Sequence, residues 1–289
     1  VSPPLLPERA GASRLYCPVD SSPSGFLSQL QHHAGRGIFL NRSLMIEVAY
    51  ADPSDLGPPE LRAQYLRLLD LPERKRFDRY VHDHHRLEFL TGRVMAKLRI
   101  AAALQIDPAS VRFWQNENGR PEVVDVKSVR FSISHTRGRA ACAVSLEAGI
   151  GLDVEHTGRD IRISPKCFSD REMADLRDRH GADLQSRFAR YWTLKEAYSK
   201  AVGRGLGIAF DRISFDLDRP CGPSATFCVR DDDPCHWTFA TLLLGHAHVL
   251  SLAIHLPDAQ APRVARWDPK ENLFLDSGSC AVVVPSTSK

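Results

Sequence analysis

Cysteine occurs only seven times in 289 residues and never as C-x-x-C. Cys221, Cys228 and Cys235 recur every seven residues, which is not a usual zinc spacing, and an odd total argues against a closed disulfide framework. Reduced, mostly buried thiols are expected. Long apolar runs are also missing. The longest candidate, TLLLGHAHVLSLAIHL, is broken by Gly245 and three histidines, so no membrane span is expected. The first residues lack the basic-then-apolar layout of a secretory leader, and a cytoplasmic protein is the expectation. Excess charge is scarce as well. With 43% hydrophobic and 25% charged residues the composition is that of an ordinary globular protein. The net charge of +3 suits an acidic partner or a phosphorylated ligand but is too weak to indicate nucleic acid.

What is present divides the chain into four parts. Residues 1–40, rich in Pro, Ser and Gly, read as an irregular arm. From residue 41 to 148 a strand (SLMIEVAYA) precedes two helical pieces split by a proline and a long amphipathic helix (HHRLEFLTGRVMAKLRIAAALQ). Short strands around an Asn118-Gly119 turn and a strand pair in SVRFSISHTRGRAACAVSL follow. Residues 149–258 restart with strand, helices and strands. That doubling suggests two similar α+β halves without strong identity between them. Residues 259–289 show no clear periodicity and read as a disordered or surface-draped tail.

The stretch GIGLDVEHTGR carries the first chemical signal. Ile150, Leu152 and Val154 alternate with Gly151, Asp153 and Glu155, the period of a strand. Two carboxylates therefore share one face of a strand apolar enough to be buried, where they repel and lose hydration. A strong helix from about Asp183 to Val202 supplies the second signal. Tyr191, Leu194, Tyr198 and Ala201 form its apolar stripe, and Trp192, Glu196 and Lys200 the stripe beside it. In one reading Glu196 and Lys200 are a solvent-facing ion pair worth about 0.3–0.5 kcal/mol. In the other, Glu196 is a third carboxylate converging on Asp153 and Glu155. Three such oxygen donors suit Mg²⁺, which turns their repulsion into attraction. With Lys200 nearby, that set is equipped for phosphoryl transfer.

FSISHTRGR brings Ser134 and His135 to a strand end beside two arginines, where a phosphate could sit. NENGRP adds Arg120 and RKRFDR a basic cluster; singly, such charges are more often solvated surface. His82, His84 and His85 read as an exposed helix start.

GIGLDVE followed by YWTLKEAYSKAVGRGLG resembles the signature pair of the 4′-phosphopantetheinyl transferases of the long, surfactin-synthetase-activating class. NGRP and FSISH resemble that family's coenzyme A-binding segments, in the same order. The match spans roughly residues 71 to 215 and leaves 1–40 and 259–289 uncovered. Arg120 stands where the family usually has lysine, and Ser132 where it often has asparagine.

The resemblance implies two similar α+β halves in one chain, a pseudo-twofold pair with the site at their interface. It implies transfer of the phosphopantetheine arm of coenzyme A to a serine of an apo acyl- or peptidyl-carrier protein, releasing 3′,5′-ADP. Asp153, Glu155 and Glu196 would hold Mg²⁺, and Glu196, or a metal-bound water it positions, would take the serine proton. Lys200 would neutralise the leaving phosphate. Ser134 and His135 would contact the nucleotide 3′-phosphate, and Arg76, Gln115, Gly119 and Arg120 would contact coenzyme A elsewhere. A monomer acting without nucleic acid or membrane is expected. The rivals are a metal-dependent nuclease and a non-enzymatic adaptor for an acidic protein surface. Nuclease sites commonly place a lysine two residues after a strand carboxylate, where this chain has Thr157. In an adaptor the three carboxylates would make structural ion pairs. Metal-free, Asp153 and Glu155 should be the strained pair.

Overall fold

The apolar run IEVAYA forms β1 (Ile46–Ala51) in the computed structural model. The structure describes residues 46–146, 148–161, 163–203, 208–218, 224–227, 232–257, 259–277 and 282–285; the arm expected over 1–40 lies outside them. After β1 come α1 (Pro59–Leu66), α2 (Leu71–Arg79) and the long α3 (Asp83–Leu104). A short hairpin of β2 (Phe113–Gln115) and β3 (Pro121–Val123) precedes the pair β4 (Arg130–Thr136) and β5 (Arg139–Ser145). The order then recurs. β6 (Gly149–His156) leads to α4 (Asp170–Arg177) and α5 (Gly181–Val202). Next are the hairpin of β7 (Ile213–Asp216) and β8 (Ser224–Phe227) and the pair β9 (Thr238–Leu244) and β10 (His248–His255). The described chain ends with β11 (Arg263–Asp268), β12 (Leu273–Asp276) and β13 (Val282–Pro285).

The strands build a five-stranded sheet, β12-β11-β1-β5-β4, and a four-stranded sheet, β13-β9-β10-β6. The expected α+β class is the one the chain adopts. Helix α3 covers one face of the first sheet through Leu90, Val94 and Met95. Helix α5 covers the second through Tyr191, Leu194, Tyr198 and Ala201, the stripe read from the sequence. A third apolar cluster, including Val48, Ala143, Leu152 and Leu250, joins the two sheets. Each fully buried valine or leucine side chain of this kind contributes roughly 1.5–3 kcal/mol.

The sheets also meet at their edges, β4 beside β6. Their junction is bridged by a side chain: Leu152 N donates to Ser132 Oγ at 3.0 Å, and that hydroxyl donates to Leu152 O at 3.4 Å. Ser132, noted in the sequence only as a departure from a family pattern, thus supplies a backbone-like link between the two sheets.

Each long helix carries one fully buried lysine anchored to the short helix before it. Asp70 and Ser169 cap α2 and α4, and the third helical residue, Glu73 or Glu172, completes a capping box. Lys97 Nζ lies 2.9 Å from Glu73 and donates to Val111 O at 2.6 Å. Lys195 Nζ lies 2.8 Å from Glu172 and donates to the carbonyls of Phe210 and Ile213. Charges this deep persist only when they are paired and hydrogen-bonded, yet Glu73 Oε1 has no hydrogen-bond partner among the described residues and only Arg93 nearby, at 3.9 Å.

The tail is the main correction. Residues 263–268 form β11, which pairs in parallel with β1, Glu47 opposite Arg263 through Tyr50 opposite Arg266. Trp267 is fully buried there and meets Tyr65 edge-on at 5.0 Å, while Tyr65 Oη donates to Pro269 O at 2.7 Å. The segment RVARWD hides this role because its buried positions, Val264, Ala265 and Trp267, do not alternate cleanly. Its partner strand also lies more than two hundred residues away. Of the described cysteines, Cys142 is buried, with its thiol pushed up to about 12 by burial, whereas Cys167 and Cys235 are half-buried. Among the described residues no helix is long and apolar enough to cross a membrane.

Replacing Lys97 by Met leaves Glu73 buried with only the more distant Arg93, 3.9 Å from its Oε1, as a cation. We expect a loss of roughly 3–5 kcal/mol in urea unfolding. The double variant Lys97→Met/Glu73→Leu should recover most of it; equal losses in both would contradict a mainly electrostatic origin.

Candidate active site

The site begins with a missing side chain. A Cβ placed on Gly151 would lie 1.9 Å from Ala197 O and 2.4 Å from Ala201 N, so β6 and α5 touch backbone to backbone. Only glycine allows that approach. It places Asp153 and Glu155, one and two positions further along the same strand face, against the side of α5 that bears Glu196 and Lys200. The helix stops just beyond, at Gly203 with φ 71°, the left-handed conformation of a C-cap.

The carboxylates are unequally compensated. Asp153 Oδ1 accepts hydrogen bonds from Ser134 Oγ at 2.7 Å and Lys200 Nζ at 2.6 Å, and Lys200 also donates to Ser134 at 3.0 Å. Asp153 Oδ2 is buried with no hydrogen-bond partner among the described residues. Glu155 accepts from Thr136 Oγ1 at 3.1 Å and is paired with Arg159. Burial, and then the Asp153 charge, push the Glu155 carboxyl up; Arg159, Thr136 and Lys200 only partly oppose this. Glu196 makes no hydrogen bond or ion pair among the described residues. Burial and then Asp153 raise its pKa too, with Glu155 adding and Lys200 opposing. Lys200 therefore serves Asp153, so the solvent-facing Glu196–Lys200 pair is not what forms. The strain expected on Asp153 and Glu155 extends to Glu196: Lys200 and Ser134 reach only Oδ1 of Asp153, and Glu155 and Glu196 are both pushed up.

The remaining candidates divide between this cluster and its surroundings. Ser134 and His135, adjacent on β4, point to opposite faces, as strand geometry requires. Ser134 turns to Asp153, while the exposed His135 lies 3.4 Å from Glu88 of α3, which also accepts from His85 at 3.0 Å. Arg120 does not stand free. Its guanidinium donates to Ala201 O at 2.8 Å and Ile150 O at 3.3 Å, tying the β2–β3 turn to the C-terminal end of α5. Two carbonyls at once suit a forked guanidinium better than an ammonium. Gly119, at φ 76°, forms the turn itself, with Asn116 Oδ1 accepting from Asn118 N and Arg120 N.

A cleft of about 300 Å³ lies between α5 and the β2–β3 turn with β4, lined by Gly119, Arg120, Ser132, Glu196 and Lys200. A neighbouring groove of about 540 Å³ shares Pro121 with it and holds Arg76 and Gln115 beside Arg79, Arg93 and Trp114. His82, His84 and His85 are exposed around the start of α3, as expected. Sequence reading missed Arg159, Thr136 and Glu88. Thr136 and Glu88 bear no motif, and only Arg159, four residues after Glu155, offered a spacing cue.

Asp153, Glu155 and Glu196 could hold a divalent metal ion. The fit is chemical: all-oxygen donors, a buried carboxylate oxygen with no partner among the described residues, and two carboxyls pushed up first by burial and then by the Asp153 charge.

Comparison with known proteins assigns the class. Residues 59–147 match a family model described as 4′-phosphopantetheinyl transferase, N-terminal, and residues 149–253 one described as the 4′-phosphopantetheinyl transferase superfamily. A phosphopantetheinyl transferase of Thraustochytrium sp. is 31% identical over 233 residues, 74% of this chain and 80% of that protein. The transferase HetI of a Nostoc species is 31% identical over 173 residues, 57% of this chain and 73% of its own. Sfp of Bacillus subtilis is 28% identical over 178 residues, 61% and 79% of the two chains. The chain belongs to the 4′-phosphopantetheinyl transferase superfamily.

The raised Glu196 carboxyl has a thermodynamic sign. A carboxylate whose folded pKa exceeds its unfolded one costs stability when ionised, and the cost fades as pH falls through the folded pKa. Glu196→Gln should therefore raise the thermal midpoint of the metal-free protein at pH 7.5 by about 2–4 °C. The gain should shrink towards pH 5. A lower midpoint at pH 7.5 would contradict the account.

Proposed function

We propose that the chain transfers the 4′-phosphopantetheine arm of coenzyme A to a serine hydroxyl of an apo acyl- or peptidyl-carrier protein in a Mg²⁺-dependent reaction. The observation that carries this reading is the Asp153–Glu155–Glu196 cluster with Lys200 at the edge of the cleft. Those three carboxylates would hold the ion, whose chemistry is to offset charge on the coenzyme A pyrophosphate. The ammonium of Lys200 has three N–H groups, two of them engaged by Asp153 and Ser134, which leaves one for a phosphate oxygen. Glu196, uncommitted and with a raised pKa, suits the general base. As the carrier serine Oγ bonds to the pantetheine-bearing phosphorus, its proton passes to Glu196. The bridging P–O bond breaks, and 3′,5′-ADP leaves with the electron pair. The chain needs no covalent nucleophile.

The groove with Arg76 and Gln115, which shares Pro121 with the cleft, would receive part of coenzyme A, and a separate groove lined by His85, Glu88, His135 and Arg137 would receive its 3′-phosphate. Arg120 and Gly119 would act at the cleft through the turn they build. We further read the chain as halves 41–148 and 149–258 in a pseudo-twofold pair. Support comes from the recurring element order, the local order β1-β5-β4 against β6-β10-β9, and the matching pairs Glu73–Lys97 and Glu172–Lys195. A monomer would then contain one complete site, because the place of Glu196 in α5, after Lys195, is taken in α3 by Leu98, after Lys97.

The rivals fare worse. Just past β6 the nuclease lysine position holds Thr157, whose hydroxyl donates to Ala247 O at 3.3 Å. A purely structural cluster would pair its charges, whereas the half-buried Glu196 has no partner among the described residues.

Purified protein with coenzyme A and Mg²⁺ should add one phosphopantetheine to an apo carrier protein, read by intact mass. Asp153→Ala should abolish the mass gain while keeping the circular dichroism spectrum of the native fold. No gain on either carrier class with coenzyme A bound, or nicking of DNA instead, would overturn the proposal.

A further inference from the structure

Glu155 is the one carboxylate of the cluster already held by a cation from its own segment. Arg159 follows β6 by three residues, in a turn closed by its own N–H on His156 O at 3.2 Å. Its guanidinium pairs with Glu155 Oε1 and lies 5.4 Å from the centroid of the Trp192 ring. Trp192 stands one helical turn before Glu196, so Arg159 spans from the end of β6 to the same side of α5 that completes the cluster. Its side chain is 36% exposed and can move without disturbing the core.

Charge decides what this contact does. With all three carboxyls ionised, Asp153, Glu155 and Glu196 set three negative charges against the two positive charges of Lys200 and Arg159, so the cluster is then net negative and disfavours an entering pyrophosphate. A divalent ion reverses that sign. The ion and the guanidinium cannot both sit on Glu155 Oε1, because two cations at contact distance repel across a weakly screened site.

We propose that Arg159 is a resident counter-ion of the metal site: it holds Glu155 when no metal is bound, is displaced from Oε1 when a divalent cation binds, and is then free to face an anionic phosphate. This rests on the metal-dependent reading above and adds to it a positioning residue that lowers metal affinity while keeping Glu155 in place. Trp192 is the seat against which the guanidinium rests and the natural reporter of its departure.

The test is titration of Mg²⁺ into metal-free protein, by calorimetry and by tryptophan emission, without coenzyme A or carrier. Arg159→Gln should bind Mg²⁺ about tenfold more tightly, the scale of one charge-assisted contact removed from competition. Arg159→Lys, which keeps the charge without the fork, should fall between. In the unmodified protein the emission should change with metal occupancy, and in Trp192→Phe or Arg159→Gln that change should vanish. Equal or weaker Mg²⁺ binding by Arg159→Gln, or emission indifferent to metal, would overturn the counter-ion role. If the unmodified protein itself binds no Mg²⁺, it is the metal-dependent reading that fails.

Discussion

The contact on which everything else depends is the meeting of Gly151 with the Ala197 carbonyl. A strand and a helix normally keep apart by the width of two side chains. Here the absence of one lets the backbones touch, and the carboxylates on the strand come within electrostatic reach of Glu196. Burial and the resulting repulsion together raise the Glu155 and Glu196 carboxyls, and Asp153 Oδ2 has no hydrogen-bond partner among the described residues. A protein that kept such an arrangement for stability alone would have paired or removed those charges. In our reading the strain is the binding energy of a site that waits for a cation.

The site belongs to both sheets. Ser134 on β4 steadies Asp153 on β6, Thr136 on β4 steadies Glu155, and Ser132 joins the strands that carry them. Arg120 fastens the β2–β3 turn to the end of α5 and to β6. Three hydroxyls and one guanidinium thus fix the relation between the two sheets at the place where the carboxylates converge. The buried Glu–Lys pairs set the helices on their own sheets, and the junction residues set one sheet against the other.

Much of this was legible in the sequence, and the exceptions have physical causes. The period-2 alternation of GIGLDVE and the apolar stripe of α5 identified the two elements that form the site. Family resemblance supplied the expectation that they meet. Local patterns cannot reveal partners brought together by folding: Lys200 was read beside Glu196 but reaches Asp153. Ser134 was grouped with His135 although adjacent strand residues diverge. The capping boxes at Asp70 and Ser169, which mark the helices that anchor Lys97 and Lys195, went unread. The strand at 263–268 escaped notice because its pattern is irregular and its partner, β1, lies at the other end of the described chain.

The most direct test of the central claim, that the clustered carboxylates are strained until a cation joins them, is thermal unfolding at pH 7.5 with and without Mg²⁺. Ligand that binds only the folded state adds roughly 2.7 kcal/mol of stability at a hundredfold excess over Kd. The account predicts a clear rise in the midpoint with Mg²⁺ in the unmodified protein and none in Asp153→Asn. A midpoint unmoved by Mg²⁺, or one that rises equally in both proteins, would contradict it.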